Sequence, residues 1–149
     1  MTGDGVCIGL TYKDRAFIHP RSNSQQYTDC RHRGRDATPR GARNICLTSV
    51  QMSHNTISAP HTDNNKHGCP SIAIGLGDYC GGGLRIVVAK QPLHIRNHAV
   101  VLARHQTHSS GLFNGDRWSP ALLVHSSWDK VPTALATELL ERGFPCPPS

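Results

Sequence analysis

The sequence lacks the features that mark membrane-spanning proteins, exported proteins and zinc-ribbon proteins. No run approaches the ~18 apolar residues that a membrane helix needs, and no charged start followed by an apolar stretch resembles a signal peptide. The six cysteines (7, 30, 46, 69, 80 and 146) never approach the C-x-x-C spacing of zinc or redox sites. We therefore expect a soluble intracellular protein with free thiols and no membrane partner, in a compartment that the sequence does not specify.

Apolar residues are few and unevenly distributed. They make up 37% of the 149 residues, are sparse across residues 15–43, and recur in runs from Ile45 onward. A polar, charged stretch buries too little apolar surface to fold by itself. We therefore expect a basic, loosely structured N-terminal segment at residues 1–44 and a compact core at residues 45–149.

The positive charge is concentrated in that N-terminal segment. The net charge is +6, and five arginines stand at 31, 33, 35, 40 and 43. Such a cluster attracts phosphates, but the charge alone says nothing about chemistry. No aromatic residue lies among these arginines to stack on a base. A solvated arm and an unspecific contact with a polyanion are both open.

The core contains short apolar runs separated by glycine, proline and asparagine. The runs predict strands over residues 45–52 (with an extension to 57 left open), 71–76, 84–88, 99–103 and 121–124. Several short strands with such turns favour a sandwich or barrel. Apolar positions 131, 135, 139 and 140 have helical spacing, and Gly143 is well placed to end the helix. The core is predicted to be mainly β with one C-terminal helix.

His61 and Asp63 are the first residues that suggest chemistry. Residues i and i+2 of a strand project from the same face, so an imidazole and a carboxylate converge there. A second histidine would complete a two-His-one-carboxylate triad, which suits non-haem Fe(II). Alone, His-x-Asp is a weak pattern in a chain with ten histidines. The candidates for the second histidine are 94, 98, 105 and 108.

Two longer motifs surround this pair. Residues 61–84 read HTDNNKHGCPSIAIGLGDYCGGGL, and residues 108–119 read HSSGLFNGDRWS. Together they resemble the Fe(II)- and 2-oxoglutarate-dependent oxygenase superfamily. Its members carry H-x-D, a Gly-Gly-x-Leu turn, a distal histidine and an arginine nine or ten residues further on, in that order. The resemblance covers about residues 45–148 and implies a double-stranded β-helix, a jelly-roll or cupin-like core.

The resemblance also implies which residues form the site. The family pattern places the distal ligand nine residues before the arginine, so His61, Asp63 and His108 would hold Fe(II), and Arg117 would pair the distal carboxylate of 2-oxoglutarate. A guanidinium binds a carboxylate bidentately and stays charged when it is desolvated. Ser119 lies two residues further along the same strand face and would share that carboxylate. No catalytic residue beyond the metal ligands is implied.

Asn55 and Tyr79 are candidates for the pocket lining, with a purely structural role as the alternative. The implied activity is a dioxygenase that uses O₂, decarboxylates 2-oxoglutarate to succinate and hydroxylates a C–H bond. A peptide and a nucleic acid are both open as the primary substrate. One alternative is a catalytically silent or fragmentary member of the same fold, acting as a nucleic-acid or protein binding module. Another is a zinc hydrolase at the same three ligands, which leaves Arg117 unexplained.

The chain departs from the family pattern around the distal histidine. Relatives usually carry F-D-G-x-x-P-H there, whereas residues 102–108 read LARHQTH. Arg104 stands where a glycine is usual, Thr107 where a proline is usual, and Gly111 where a proline is frequent. Pro120 lies within the strand expected to carry Arg117, where it removes a hydrogen-bond donor. The turn that aims His108 is therefore expected to differ from that of relatives.

Overall fold

The fold consists mainly of short antiparallel strands. The computed structural model describes residues 5–13, 16–18 and 46–147. These residues contain one α-helix, α1 (Thr133–Glu141), a 3₁₀ turn at Trp128–Lys130, and eleven strands. The strands are β1 (Gly5–Gly9), β2 (Thr11–Lys13), β3 (Ala16–Ile18), β4 (Ser49–His54), β5 (Ser71–Ala73), β6 (Tyr79–Gly81), β7 (Leu84–Ile86), β8 (Val100–Leu102), β9 (His108–Ser110), β10 (Phe113–Gly115) and β11 (Trp118–Leu123).

Five strands form the major sheet, in the order β1-β4-β11-β5-β8, and every pairing within it is antiparallel. Three further pairs, β6 with β10, β7 with β9 and β2 with β3, are also antiparallel. The prediction of a mainly β, jelly-roll-like core with a short C-terminal helix is confirmed. None of the helices in the described part of the chain is long and apolar enough to cross a membrane.

The inner core lies between the major sheet and β7. Leu84 and Ile86 are buried on one face of β7, and Arg85 between them is exposed, as the period of two requires. They pack with the buried Ile95 and Leu102, and Ala73 of β5 is packed against the same group. One face of β5 and β8 therefore meets β7, which encloses the interior of the jelly roll.

The outer face of the major sheet is covered by α1. Leu135 and Leu139 are buried in one cluster with Phe144, and Val50 and Met52 of β4 pack against that cluster. Helix α1 ends as predicted, at Gly143. That residue has φ +85°, its N–H donates to the Leu140 carbonyl, and the Phe144 N–H donates to the Leu139 carbonyl. This is the Schellman arrangement, in which a glycine in the left-handed region closes the helix.

Part of the N-terminal segment belongs to the sheet. Gly5–Gly9 pairs along its whole length with β4, and Leu10 is fully buried in the outer core. These residues, which lie before the predicted boundary at residue 45, thus pack with the core strands. The arginine cluster at 31–43 lies outside the described residues. The division of the chain into a loose segment and a core remains a prediction.

Pro120 lies in a central strand without breaking it. Its carbonyl accepts a hydrogen bond from the Ile74 N–H. Because the N and O of one strand residue point to the same side, the missing N–H of Pro120 also faces Ile74. Ile74 lies one residue beyond the end of β5, so the lost donor falls at the end of that ladder. The pairing with β4 continues through Pro120, opposite Met52.

Candidate metal centre and co-substrate pocket

His61 and His108 lie opposite each other on adjacent antiparallel segments. The His61 N–H donates to the His108 carbonyl at 3.0 Å, and the His108 N–H donates to the His61 carbonyl at 2.9 Å. His108 opens β9, which pairs with β7. The two ring centroids are 4.5 Å apart. A reciprocal backbone pair thus fixes two histidines that are 47 residues apart in the sequence.

Both imidazoles are oriented in the same way by the backbone. The Nδ1 of His61 lies 2.8 Å from the Ala59 carbonyl oxygen, and the Nδ1 of His108 lies 2.9 Å from the Gln106 carbonyl oxygen. A carbonyl only accepts, so Nδ1 is the donor in each ring, and in the neutral imidazole Nε2 then keeps its lone pair. This is the tautomer that binds metal through Nε2, held by the kind of second hydrogen bond that orients metal-bound histidines.

The carboxylate of Asp63 faces both free nitrogens. Its Oδ1 lies 3.7 Å from Nε2 of His61 and 3.6 Å from Nε2 of His108. Its other oxygen, Oδ2, accepts a hydrogen bond of 2.5 Å from the Ser71 hydroxyl. Ser71 is buried at the start of β5. Asp63 therefore presents one oxygen to the histidines and anchors the other to the major sheet.

The donor set fits a divalent transition metal. One ligand atom from each of His61, Asp63 and His108 lies within 4.8 Å of the other two, and within the described residues no other group of three such side chains meets that distance. Two imidazoles and one carboxylate on one side of an ion leave positions open for further ligands, which is the arrangement of non-haem Fe(II) oxygenases.

The other candidate histidines lie elsewhere. The ring centroids of His94 and His98 are 5.3 Å apart in an edge-to-face arrangement, and both residues are exposed. His105 is exposed in the turn that precedes β9. Of the four candidates for the second histidine, the structure brings His108 next to His61 and Asp63. His108 is buried, with 7% of its surface exposed.

Arg117 points into the fold rather than toward solvent. It is 2% exposed, and within the described part of the chain its Nε and Nη1 atoms have no hydrogen-bond partner. The neighbouring Asp116 does not pair with it; that carboxylate accepts a 2.6 Å hydrogen bond from His54 instead. Burial lowers the pKa of the Arg117 guanidinium, and Tyr79 opposes that shift. A buried guanidinium with free donors is a site for an anion.

Aromatic rings and a glycine shape the space around Arg117. Its guanidinium carbon lies 5.6 Å from the ring centroid of Tyr79 and 5.1 Å from that of Phe113. These distances fall within the range of cation–π attraction, which offsets part of the cost of burying the charge. A Cβ added at Gly82 would lie 3.1 Å from Phe113 and 3.5 Å from the Arg117 Nη1. The triple-glycine turn therefore lies directly against the guanidinium. Gly82 also has φ +67°, a backbone conformation that favours glycine.

Asn55 and Tyr79, the candidates for the pocket lining, both act on Arg117. The Asn55 N–H donates to the Arg117 carbonyl at 2.9 Å, and the Asn55 Oδ1 accepts from the Arg117 N–H at 2.9 Å. Asn55 has φ +51°, a conformation that asparagine tolerates better than most residues. Tyr79 is 3% exposed, and the guanidinium carbon of Arg117 lies over its ring. Asn55 fixes the backbone of Arg117, and Tyr79 supports its charge.

Ser119 lies on the inner face of β11. It is opposite Ser53 of β4, and it alternates with the buried Pro120. Ala121, two residues on, is paired with Ala73, which packs against the inner core. Side chains two residues apart share a face, so Ser119 and Arg117 are directed to the same side of the strand.

Sequence reasoning missed the residues that brace the metal ligands. The strand pattern over residues 71–76 gives Ser71 no role beyond its place in an apolar strand, although a polar residue at the start of a buried strand is a signal for one. Ser58 and Ser110 were also missed. The Ser58 N–H donates to the Ser110 hydroxyl at 2.6 Å, which ties the segment before His61 to the strand of His108.

No known family model matches the chain, and no curated protein matches it. Among solved structures, an oxidoreductase of the 2OG-Fe(II) oxygenase family from Burkholderia pseudomallei is similar, at 13% identity over 83% of this chain and 71% of that chain, with a TM-score of 0.49. OsALKBH1 is similar at 12% identity, over 83% of this chain and 80% of that chain, with a TM-score of 0.48. The first belongs to the superfamily that the motifs resemble. Likenesses of this degree carry no argument about activity, which therefore rests on the residues described above.

Proposed function

We propose that this chain is an Fe(II)- and 2-oxoglutarate-dependent dioxygenase, with His61, Asp63 and His108 as its metal ligands and Arg117 as the anchor of the co-substrate. Iron bound there would supply the binding and activation of O₂ that couples decarboxylation of 2-oxoglutarate to succinate with hydroxylation of a C–H bond. The three ligands form the metal part of the proposed function, and Arg117 forms its co-substrate part.

The metal part is carried by one observation, the shared orientation of the two histidines. Both rings donate Nδ1–H to a carbonyl two residues upstream and direct Nε2 at the same Asp63 oxygen. His98, outside this group, makes the same Nδ1 contact with a carbonyl two residues upstream, so the feature specific to His61 and His108 is that both Nε2 atoms converge on one carboxylate oxygen. The Ser71 hydroxyl donates to Asp63, and a hydrogen bond that orients a ligating carboxylate is typical of metal sites.

The co-substrate part is supported by the buried donors of Arg117. 2-Oxoglutarate carries a second carboxylate away from its metal-chelating end, and that group needs a cation when it leaves water. Arg117 offers two buried donor atoms without a partner among the described residues. Ser119 lies on the same side of β11 and offers a hydroxyl. The chain's own role is then to bind and orient the co-substrate while excluding water from its distal end.

The test is an anaerobic titration of the full chain with Fe(II) and then 2-oxoglutarate. Chelation of iron by 2-oxoglutarate produces a weak visible charge-transfer band, and we expect that band to saturate at one equivalent of iron. His108→Ala should abolish it, and His105→Ala, a change in the adjacent turn, is the matched control. Absence of the band with the wild-type chain would refute the proposal. A band lost in His105→Ala but kept in His108→Ala would show that the metal site uses another histidine.

A further inference from the structure

The turn before β9 controls the direction of His108. The Gln106 N–H donates to the Ala103 carbonyl at 2.9 Å, and the Ala103 N–H donates to the Gln106 side-chain oxygen at 2.8 Å. These two bonds close residues 103–106 into a tight turn. The Gln106 carbonyl at its end is the group that accepts the His108 Nδ1–H. A displacement of this turn therefore rotates or releases the imidazole of His108.

Arg104 ties this turn to the segment that carries the other two ligands. Its Nε donates to the Asn65 carbonyl at 2.7 Å, and Asn65 lies two residues after Asp63. Asn65 is itself a fixed point, since it is 1% exposed and pairs with His125 through an isolated bridge. The Lys66 N–H next to it donates to the Val124 carbonyl at 2.9 Å. Arg104 thus connects the turn before His108 to an anchored segment that follows Asp63.

We propose that Arg104 is a positioning residue that holds His108 in register with His61 and Asp63 for metal binding. The inference rests on the metal part of the proposed function, and it adds a residue to which the family pattern assigns no role. Relatives usually have a glycine at this position, and a glycine has no side chain that could reach the Asn65 carbonyl. In this chain the arginine provides a restraint between the two ligand-bearing segments, and Thr107 replaces the proline that would otherwise stiffen the turn.

The charge of Arg104 acts in the opposite direction. A cation near a metal site repels the ion, so removing that charge alone would strengthen metal binding. The hydrogen bond and the charge therefore predict changes of opposite sign when Arg104 is replaced by a neutral residue. We expect the hydrogen bond to dominate, because outer contacts that orient metal ligands typically contribute about 10- to 100-fold to affinity.

The experiment is a titration of the full chain with Co(II), whose visible absorption reports both affinity and ligand geometry. Arg104→Met removes the donor and the charge, and Arg104→Lys keeps the charge and one donor. Arg85→Met is the matched control, because Arg85 is an exposed arginine on β7, the strand paired with β9. We expect Arg104→Met to weaken Co(II) binding by about 10- to 100-fold and to change the absorption band. Arg104→Lys should recover most of the affinity, and Arg85→Met should leave it unchanged.

Two different failures are distinguishable in this experiment. If the wild-type chain binds no Co(II), the metal part of the proposed function is wrong. If the wild-type chain binds Co(II) and Arg104→Met binds it equally or more tightly, only the positioning role is wrong. The circular dichroism of each apo variant checks folding, and Arg104→Gln, which retains a shorter donor, replaces Arg104→Met if that variant does not fold. Arg104→Gln is then expected to weaken binding as well, and wild-type affinity in it would overturn the inference.

Discussion

Replacing Arg117 by methionine should change the stability of the apo protein and its affinity for 2-oxoglutarate in opposite directions. Arg117 is a buried cation whose Nε and Nη1 have no hydrogen-bond partner among the described residues. Methionine keeps the length and most of the apolar contact with Tyr79 and Phe113, but it removes the charge. The apo protein no longer bears the cost of burying that charge, whereas the distal carboxylate of the co-substrate loses its partner.

The magnitudes follow from the burial of the guanidinium. Losing a charge-assisted partner for a buried carboxylate costs about 2–5 kcal/mol, which is roughly 30- to several-thousand-fold in the affinity for 2-oxoglutarate. Replacing buried ionic groups with apolar ones of similar size stabilises some proteins by about 1–4 kcal/mol. The two cation–π contacts offset part of that gain, so we expect the lower end. At about 2–4 °C per kcal/mol for a chain of this size, the apo Tm should rise by several degrees.

Arg96→Met is the matched control. Arg96 also lies 5.6 Å from the Tyr79 ring centroid, but its guanidinium is already paired with the Tyr79 carbonyl and with Asp78. We expect Arg96→Met to lower the apo Tm and to leave 2-oxoglutarate affinity unchanged. The assay is thermal unfolding of the metal-loaded protein at increasing 2-oxoglutarate, beside the same measurement on the apo protein. Unchanged 2-oxoglutarate affinity in Arg117→Met would refute the anchor, and loss of affinity in Arg96→Met would move the anchor to Arg96.

Three further outcomes are expected. Gly82→Ala places a Cβ 3.1 Å from Phe113 in a backbone with φ +67°, so it should weaken 2-oxoglutarate binding while iron affinity, measured separately, stays near the wild-type value. Ser71→Ala removes the donor to Asp63 and should weaken Co(II) binding by about tenfold; wild-type affinity would show that the contact is only structural. Burial raises the pKa of Cys146 to about 11, so its alkylation by iodoacetamide should be slow at pH 8 and should become faster as the pH is raised toward the pKa. The exposed Cys80 should react first. Mass spectrometry of the modified peptides distinguishes these two cysteines.

The sequence predicted the strands that carry enough apolar residues to be recognised alone. Residues 71–76, 84–88 and 99–103 were each expected as strands, and each contains one, although every observed strand is shorter. Strands β6, β9 and β10 were missed because they contain glycine, serine and asparagine, and their pairing defines them. Tyr79–Gly81, for example, forms a strand only because Phe113–Gly115 lies opposite it. Such pairing depends on residues far apart in the chain, which periodicity cannot detect.

The candidate site was predictable to the extent that chemistry is tied to spacing. His61, Asp63, His108 and Arg117 follow from motif intervals, and the structure brings the first three together. The groups that orient them were not predictable, because most are backbone atoms. The carbonyls of Ala59 and Gln106 set the two imidazoles, and no residue type at either position indicates that role. The same holds for Asn55, whose contact with Arg117 depends on a left-handed backbone conformation.

The departures from the family pattern are consistent with one another once they are placed in the fold. Gly111, where relatives often have proline, donates its N–H to the Gly83 carbonyl at 2.9 Å, a bond that proline could not make. That bond joins the segment after β9 to the triple-glycine turn beside Arg117. Pro120 loses its donor only beyond the end of β5, and Arg104 contributes a hydrogen bond where glycine would contribute none. Arg104 and Gly111 each form a hydrogen bond that glycine or proline at that position could not form, and both bonds join segments that carry residues of the candidate site.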